Sequence, residues 1–321
     1  MKIKKKIILL MLLLVIVLPI IVLAISISFE NSKFEEWIVE MKSEELIPVK
    51  ITTPVEHKIY ETNGYGIHYY VSGQEHEEAI IFLHPAFSDH QAFDLQVDYF
   101  SKSYKVISLD MIGHGKSKAG KSKDKIDASA DHIKEIMELE GIESAHLVAV
   151  SMGTLIAQYF ALQHPDMIKS VTALGGYNIN ESNKEVEKAQ RNSNLSLMAR
   201  AILSMKSFRQ KTAKMTCESE RGQALFYLSS GDYERKSFMV MQGFQNIIKD
   251  RPQAEISYPL LIMVGEKDID LALKMSNDWH KAVAISQFEV IKSAGHCANM
   301  DQPKEFNFIV ADFISQETIN N

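Results

Sequence analysis

The stretch Ala145–Gly153, AHLVAVSMG, is arranged to present one hydroxyl. The apolar run Leu147-Val148-Ala149-Val150 reads as a buried strand and delivers Ser151 straight into Met152, Gly153 and a helix-like segment. A serine at such a turn is held clear of the backbone only if the residues two before and two after it are small. Bulk at either place would collide across the turn or with the neighbouring strand. Gly153 meets that demand, and so does Ala149, one methyl larger than the usual glycine. The N–H of Met152 then lies free at a helix N-terminus, where it can meet a developing negative charge. The chemistry this suits is attack by a serine oxygen on a carbonyl, which requires a base in contact with the hydroxyl. A serine capping an ordinary strand-to-helix turn has the same local pattern, so the rest of the chain must decide.

A serine so placed needs a parallel sheet beneath it, and the hydrophobic pattern supplies one. Ile59-Tyr60-Glu61 and Ile67–Val71, separated by Thr62-Asn63-Gly64-Tyr65-Gly66, read as an antiparallel hairpin. Strand-like runs then alternate with helical ones. The strands are Ala79–Leu83, Lys105–Leu109, Ala145–Val150, Ser170–Leu174, Pro259–Val264 and Gln287–Ile291. The helices are Gln91–Phe100, a segment with Ile126, Ala130, Ile133 and Met137 on one face that stops at Gly141, the segment after Ser151 to Gln163, Ile269–Val283 and Pro303–Ile314. This rhythm implies an α/β fold, a mostly parallel sheet with helices on both faces. It breaks between Gly176 and Ile256, a stretch rich in Lys, Glu, Gln, Ser and Met that reads as several helices without strands. Such a stretch is too long for a loop. Its place after the strand that follows Ser151 sets it over the C-terminal edge of the sheet, where open α/β sheets bind ligands. It is expected to be a cap, with Met198, Met205, Met215, Met239 and Met241 as candidates for an adaptable lining.

Four more motifs fall at strand ends: Leu83-His84-Pro85-Ala86-Phe87, Asp110-Met111-Ile112-Gly113-His114-Gly115-Lys116-Ser117, Gly265-Glu266-Lys267-Asp268 and Ala294-Gly295-His296-Cys297-Ala298-Asn299. With Ser151 they run in the order serine, acid, histidine. By these motifs and their order the chain resembles the α/β-hydrolase family from about residue 58 to 315. The resemblance implies a catalytic triad of Ser151, Asp268 and His296 and an oxyanion hole formed by the N–H groups of Ala86 and Met152. Chemistry agrees with the histidine, since an imidazole titrating near 6.5 can take and return a proton. A buried carboxylate should hold its second nitrogen; Asp268 fits, with Glu266 and Asp270 as rivals. His84 is expected to order the oxyanion loop and His114 to support a turn. Pro85 stands where the family has glycine and brings no N–H of its own. Phe87 is a candidate for lining the acyl pocket and an alternative oxyanion donor.

The 321 residues are 46% hydrophobic and 24% charged, an ordinary globular composition, with a net charge of −6. The charges in residues 1–29 are all lysines, Lys2, Lys4, Lys5 and Lys6, so the remainder is more acidic still. That excludes the clustered cations of a nucleic-acid binder. Two cysteines, Cys217 and Cys297, make no disulfide framework, and no Cys/His spacing marks a metal. Residues Ile7–Ile25 form an uncharged, nearly all aliphatic run behind the basic flank. Its length reaches the roughly 17–25 residues of a bilayer span. It reads as an uncleaved signal-anchor helix, with a secretory signal peptide cut after Val22-Leu23-Ala24 as the alternative.

The expected organisation is an N-terminal anchor or signal segment over 1–29 and a short amphipathic helix and linker over 30–56. A core over 57–176 and 257–321 and a helical cap over 177–256 follow. The expected protein is a membrane-tethered or secreted serine hydrolase acting on a carboxylic ester, lactone or lipid ester, with no metal or organic cofactor. The same triad also serves carbon–carbon bond or amide hydrolysis and acyl transfer, and the fold can persist in non-catalytic binding proteins.

Overall fold

In the computed structural model the described residues are 17–43, 51–181, 184–251 and 256–320. An N-terminal helix, α1 (Leu18–Ser43), precedes an eight-stranded sheet of β1 (Glu56–Thr62), β2 (Tyr65–Ser72), β3 (Ala79–Leu83), β4 (Lys105–Leu109), β5 (Ala145–Val150), β6 (Ile168–Leu174), β7 (Leu260–Gly265) and β8 (Ser286–Ile291). The strand order is β1-β2-β4-β3-β5-β6-β7-β8. β1 and β2 form the antiparallel hairpin, turning at Asn63 and Gly64, both with positive φ. β2 also runs antiparallel to β4, and β3 to β8 are mutually parallel.

The central strands are mostly apolar, β3 at every position, because both faces are covered. Ile81, Leu83, Leu147, Ala149, Val171, Ala173, Leu260 and Ile262 point to one side. There they meet α3 (Ser129–Leu139), α4 (Met152–Gln163) and, through Trp279, α9 (Asp270–Ala282). Ile80, Phe82, Val148, Val150, Leu174, Leu261 and Met263 point to the other side, against α2 (Asp94–Phe100) and α11 (Pro303–Asn320). The alternation is the period of two of a strand read on two buried surfaces.

Between β6 and β7 the chain is helical: α5 (Lys184–Leu203), α6 (Met205–Thr216), α7 (Glu220–Ser229), a 3₁₀ segment Arg235–Gly243 and the short α8 (Phe244–Ile247). Serines cap two of these helices. Ser204 accepts from the Ser207 N–H at the start of α6, and Ser219 accepts from the Gly222 N–H at the start of α7. A last short helix, α10 (Ala298–Asp301), follows β8.

The amino-terminal region differs from the sequence expectation. The first ten residues of the apolar run Ile7–Ile25 lie outside the described residues. Among the described residues no helix is long and apolar enough to cross a membrane. Where the sequence suggested a division at residues 29 and 30, α1 runs on without a break. The cause is packing. Phe34, Ile38 and Met41 fall on one face of α1 and are buried with Ala224 of α7. The Phe34 ring stands edge-on to Tyr227 at 4.9 Å. The Asn31 amide donates to Ser204 Oγ, and Lys206 pairs with Glu35 at 2.6 Å.

The core that carries β3 to its functional end is testable at Phe82, which is 1% exposed, stacked on Phe93 and edge-on to Phe100. Phe82→Ala should cost about 3–5 kcal/mol of stability. Urea unfolding should read this as a lowered midpoint with an unchanged slope.

Candidate active site

Ser151 occupies the turn between β5 and α4 with φ 51° and ψ −112°, a conformation that L-residues other than glycine seldom hold. Three contacts keep it there. Its N–H donates to the Leu174 carbonyl at 2.8 Å, and its own carbonyl accepts from the N–H and the hydroxyl of Thr154. Gly153 lets α4 approach β3 so closely that a Cβ there would drive into the Leu83 carbonyl. Ala149 is fully buried beside Leu83 and Ala173, so the alanine in place of glycine is accommodated.

His296 lies in the loop after β8, and its Nε2 stands 2.8 Å from Ser151 Oγ. Its Nδ1 stands 2.7 Å from Asp268 Oδ2, at the end of β7. The rivals are placed elsewhere: Glu266 accepts from the Ser293 N–H, and Asp270 opens α9. Gly175, at φ 65°, supports the imidazole from below; a Cβ there would sit 2.9 Å from His296 Cε1. No sequence motif marked this glycine, although the pair Gly175-Gly176 directly after a strand is a signal of close approach. Asp301, also unmarked, accepts from the N–H groups of Gly295, Glu218 and Ser219 and from the Ser219 hydroxyl. It thereby ties the histidine loop to the start of α7.

The electrostatics separate the histidines. Burial works against a charge on His296, but the Asp268 carboxylate and its hydrogen bond outweigh it and raise the imidazole from 6.5 to about 9. His84 is fully buried, which lowers it to about 4; its Nδ1 donates to the Pro85 carbonyl and its Nε2 accepts from the Met111 N–H. His114, buried against the Ile112 carbonyl, falls to about 3. Both are neutral struts of their loops.

Pro85, Ala86, Phe87 and Met152 all line the cavity above Ser151. Pro85 contributes its carbonyl, which accepts from His84 and from the Ser88 N–H at 3.4 Å. Among the described residues the N–H groups of Ala86 and Met152 have no backbone acceptor. Phe87 takes the third position of this turn with φ 70°, a place that usually selects glycine. Its ring is held by Phe208 and Tyr233, each at 5.2 Å. Of the methionines offered as lining, Met215 and Met241 border the cavity. Met198 and Met239 face outward, and Met205 packs with Phe208 and Tyr233. A helix that covers a site shows it one face only, and the run of methionines did not reveal which.

One group of donors has metal-like spacing, Asp89, His90 and Asp110. Its chemistry is already structural. Asp110 Oδ1 accepts from the His90 N–H and Nδ1, and Oδ2 accepts from the Lys116 N–H. This clamps the loop after β3 to the loop after β4.

A hydroxyl, an imidazole and a carboxylate in line above the C-terminal edge of a parallel sheet can pass a proton away from the oxygen as it attacks. Hydrolases of the α/β class have this fold and this kind of site. The chain belongs to that family: residues 78–303 match the alpha/beta hydrolase fold. It is 24% identical over 271 residues to 3-oxoadipate enol-lactonase 1 of Acinetobacter baylyi, covering 80% of this chain and 97% of that one. It is 26% identical over 277 residues to the 2-hydroxy-6-oxononadienedioate/2-hydroxy-6-oxononatrienedioate hydrolase of Paraburkholderia phymatum, covering 78% and 91%. Its fold is similar to that of a bacterial membrane phospholipase A, with a TM-score of 0.67, 16% identity, and coverage of 98% of this chain and 99% of that one. The protein is a hydrolase.

The His296 shift has a sign that can be checked. A proton held more tightly in the folded state stabilises it below the ordinary pKa of 6.5, and that contribution is lost as pH rises through about 9. In an NMR titration the His296 imidazole should titrate well above 6.5. In Asp268→Asn it should move down, because burial then opposes the charge without the paired carboxylate.

Proposed function

We propose that the protein hydrolyses a carboxylic ester through an acyl-enzyme on Ser151. One observation carries this reading: Ser151 Oγ, His296 and Asp268 are joined by two contacts of 2.8 and 2.7 Å. Ser151 attacks the acyl carbonyl while Nε2 of His296 takes the hydroxyl proton. Asp268 holds Nδ1 and stabilises the imidazolium. The N–H groups of Met152 and Ala86 receive the oxyanion. The imidazolium returns its proton to the departing alcohol, and water then repeats the attack on the acyl-enzyme with His296 again as base. Hydrolysis of a carbon–carbon bond is the second reading, favoured by the similarity to the oxononadienedioate hydrolase. The triad would act there on a ketone carbonyl, with a carbon leaving group.

We further infer that the amino-terminal run Ile7–Ile25 tethers the enzyme to a membrane, with the body on the extracytoplasmic side. The continuity of α1 across Val22–Ala24 favours an anchor over a cleaved signal peptide, whose cut site needs an accessible chain. Leu18, Ile21, Val22, Ile25 and Phe29 are exposed on the same helix, as residues meeting lipid would be. The likeness to a membrane phospholipase A over nearly the whole chain supports the same arrangement.

A fluorophosphonate probe should label the wild type and fail to label Ser151→Ala; labelling that persists in the variant refutes the nucleophile. His296→Ala should lower ester turnover by at least about 10³-fold with the fold intact. After fractionation the intact chain should stay with the membranes through a carbonate wash and keep its N-terminal lysines by mass spectrometry. A soluble body starting near Ile25 would establish the signal peptide instead.

A further inference from the structure

The cavity over Ser151 has a volume of about 320 Å³, and its composition selects the acyl group. Leu155, Leu197, Met241, Phe244, Ile248 and Met275 make its walls, and among the described residues its lining contains no lysine or arginine. Two threonines of α6 reach the cavity, but their hydroxyls are committed. Thr212 donates to the carbonyls of Phe208 and Arg209, and Thr216 to those of Thr212 and Ala213. The nearby arginines are committed as well. Arg200 donates to Ser207 Oγ, Arg209 to the Gly231 carbonyl, Arg235 to the Ala201 carbonyl and Arg251 to the carbonyls of Ile179 and Ile247. None of the four borders the cavity.

Of carboxylates and imidazoles, those that border it are Asp268 and His296, already paired with each other; Tyr177 adds a phenol to the lining. The attack requires His296 to be neutral, and in that state the site carries the Asp268 charge alone. A second carboxylate on the substrate would thus enter a low-dielectric cavity with no cation to pair with and one anion to oppose it. An aliphatic chain meets the opposite situation, since every methylene leaves water for apolar wall. The rim continues in kind: Met215 and Ile269 line the cavity and are also 47% and 64% exposed.

We propose that the acyl group accepted by this site is uncharged and aliphatic, and that the cavity rejects acyl groups ending in a carboxylate. This rests on the reading of Ser151 as the acyl acceptor. It separates the chain from the two bacterial relatives, whose names, oxoadipate and oxononadienedioate, are those of dicarboxylates.

The test compares two esters of nearly equal length on the purified full chain, p-nitrophenyl heptanoate and mono-p-nitrophenyl adipate. From butanoate to heptanoate, kcat/KM should rise about fourfold per methylene, the equivalent of burying one CH₂. The adipate monoester should be slower than the heptanoate by at least about 10²-fold. Ile248→Arg, which places a cation in the wall, should narrow that gap by lowering the heptanoate rate and raising the adipate rate. Equal rates, or a preference for adipate, would overturn the inference while leaving the acyl-enzyme reading intact. Should neither ester be turned over, the acyl-enzyme reading fails, and binding to Ser151→Ala still decides the lining. Measured above pH 9, where His296 is neutral, tighter binding of 2-octanone than of 6-oxoheptanoate supports the apolar assignment, and equal or reversed affinity overturns it.

Discussion

The site depends on backbone approaching backbone more closely than side chains allow. At Gly153 the first turn of α4 lies against the Leu83 carbonyl, and that contact lets Ser151 stand at φ 51° above the sheet. At Gly175 the same logic applies one strand over, where the missing Cβ leaves room for the imidazole. The strand order puts β3, β5 and β6 side by side, so the oxyanion turn, the serine and the histidine support rise from three adjacent strand ends. Strain at Ser151 costs on the order of 1–3 kcal/mol. It is sustained by what surrounds it: the Ser151 N–H bonds β6, and Thr154 bonds the Ser151 carbonyl twice.

The helical insertion is part of that support. Phe87, strained in its turn, is wedged between Phe208 of α6 and Tyr233 after α7. Ser88 Oγ shares a hydrogen bond with Ser229 Oγ at 2.7 Å, both buried. Asp301 reaches from the histidine side to the backbone of Glu218 and Ser219. The insertion therefore grips the loop that bears Ala86 and the loop that bears His296. Its other side holds α1 through Asn31, Glu35 and Phe34. A continuous set of contacts runs from the amino-terminal helix through α6 and α7 to both rims of the cavity.

Much of this was legible in the sequence because period and punctuation are local properties. β3 and β7 are short apolar runs, and each ends at a motif with polar or glycine residues. Ser151 was legible from its small neighbours, and His296 from its place after the last strand. Asp268 was legible from the spacing of the Gly265–Asp268 motif, but not why it is favoured over Glu266 and Asp270, because three acids within five residues differ only in where the chain turns after β7. The turn is set by Asp268 itself, whose N–H bonds the Gly265 carbonyl while Oδ1 accepts from the Ile269 N–H, freeing Oδ2 for the imidazole. The lining was illegible for a related reason. α5 buries Leu197 and Ala201 and exposes Leu195, Met198 and Ile202, so both faces are apolar and composition cannot say which is inward. α1 continues across the change in composition at residues 29 and 30, and its buried face is set by packing against α7, far along the chain.

Division of labour in the molecule follows from this arrangement. Ser151, Asp268 and His296 stand just beyond strand ends of the sheet, where backbone hydrogen bonds hold their turns in place. The groups that line the cavity come largely from α4, α6, α9 and the segment around α8, where any apolar side chain of suitable volume fills the same space. Substitutions in the first set disrupt geometry, and substitutions in the second alter only what the cavity excludes. Among the described residues the lining holds no lysine or arginine, and the apolar residues that make its walls are distinct from Ser151, Asp268 and His296. Charge is the lining property that matters most, because volume is negotiable in a cavity walled by methionine and an unpaired carboxylate is not.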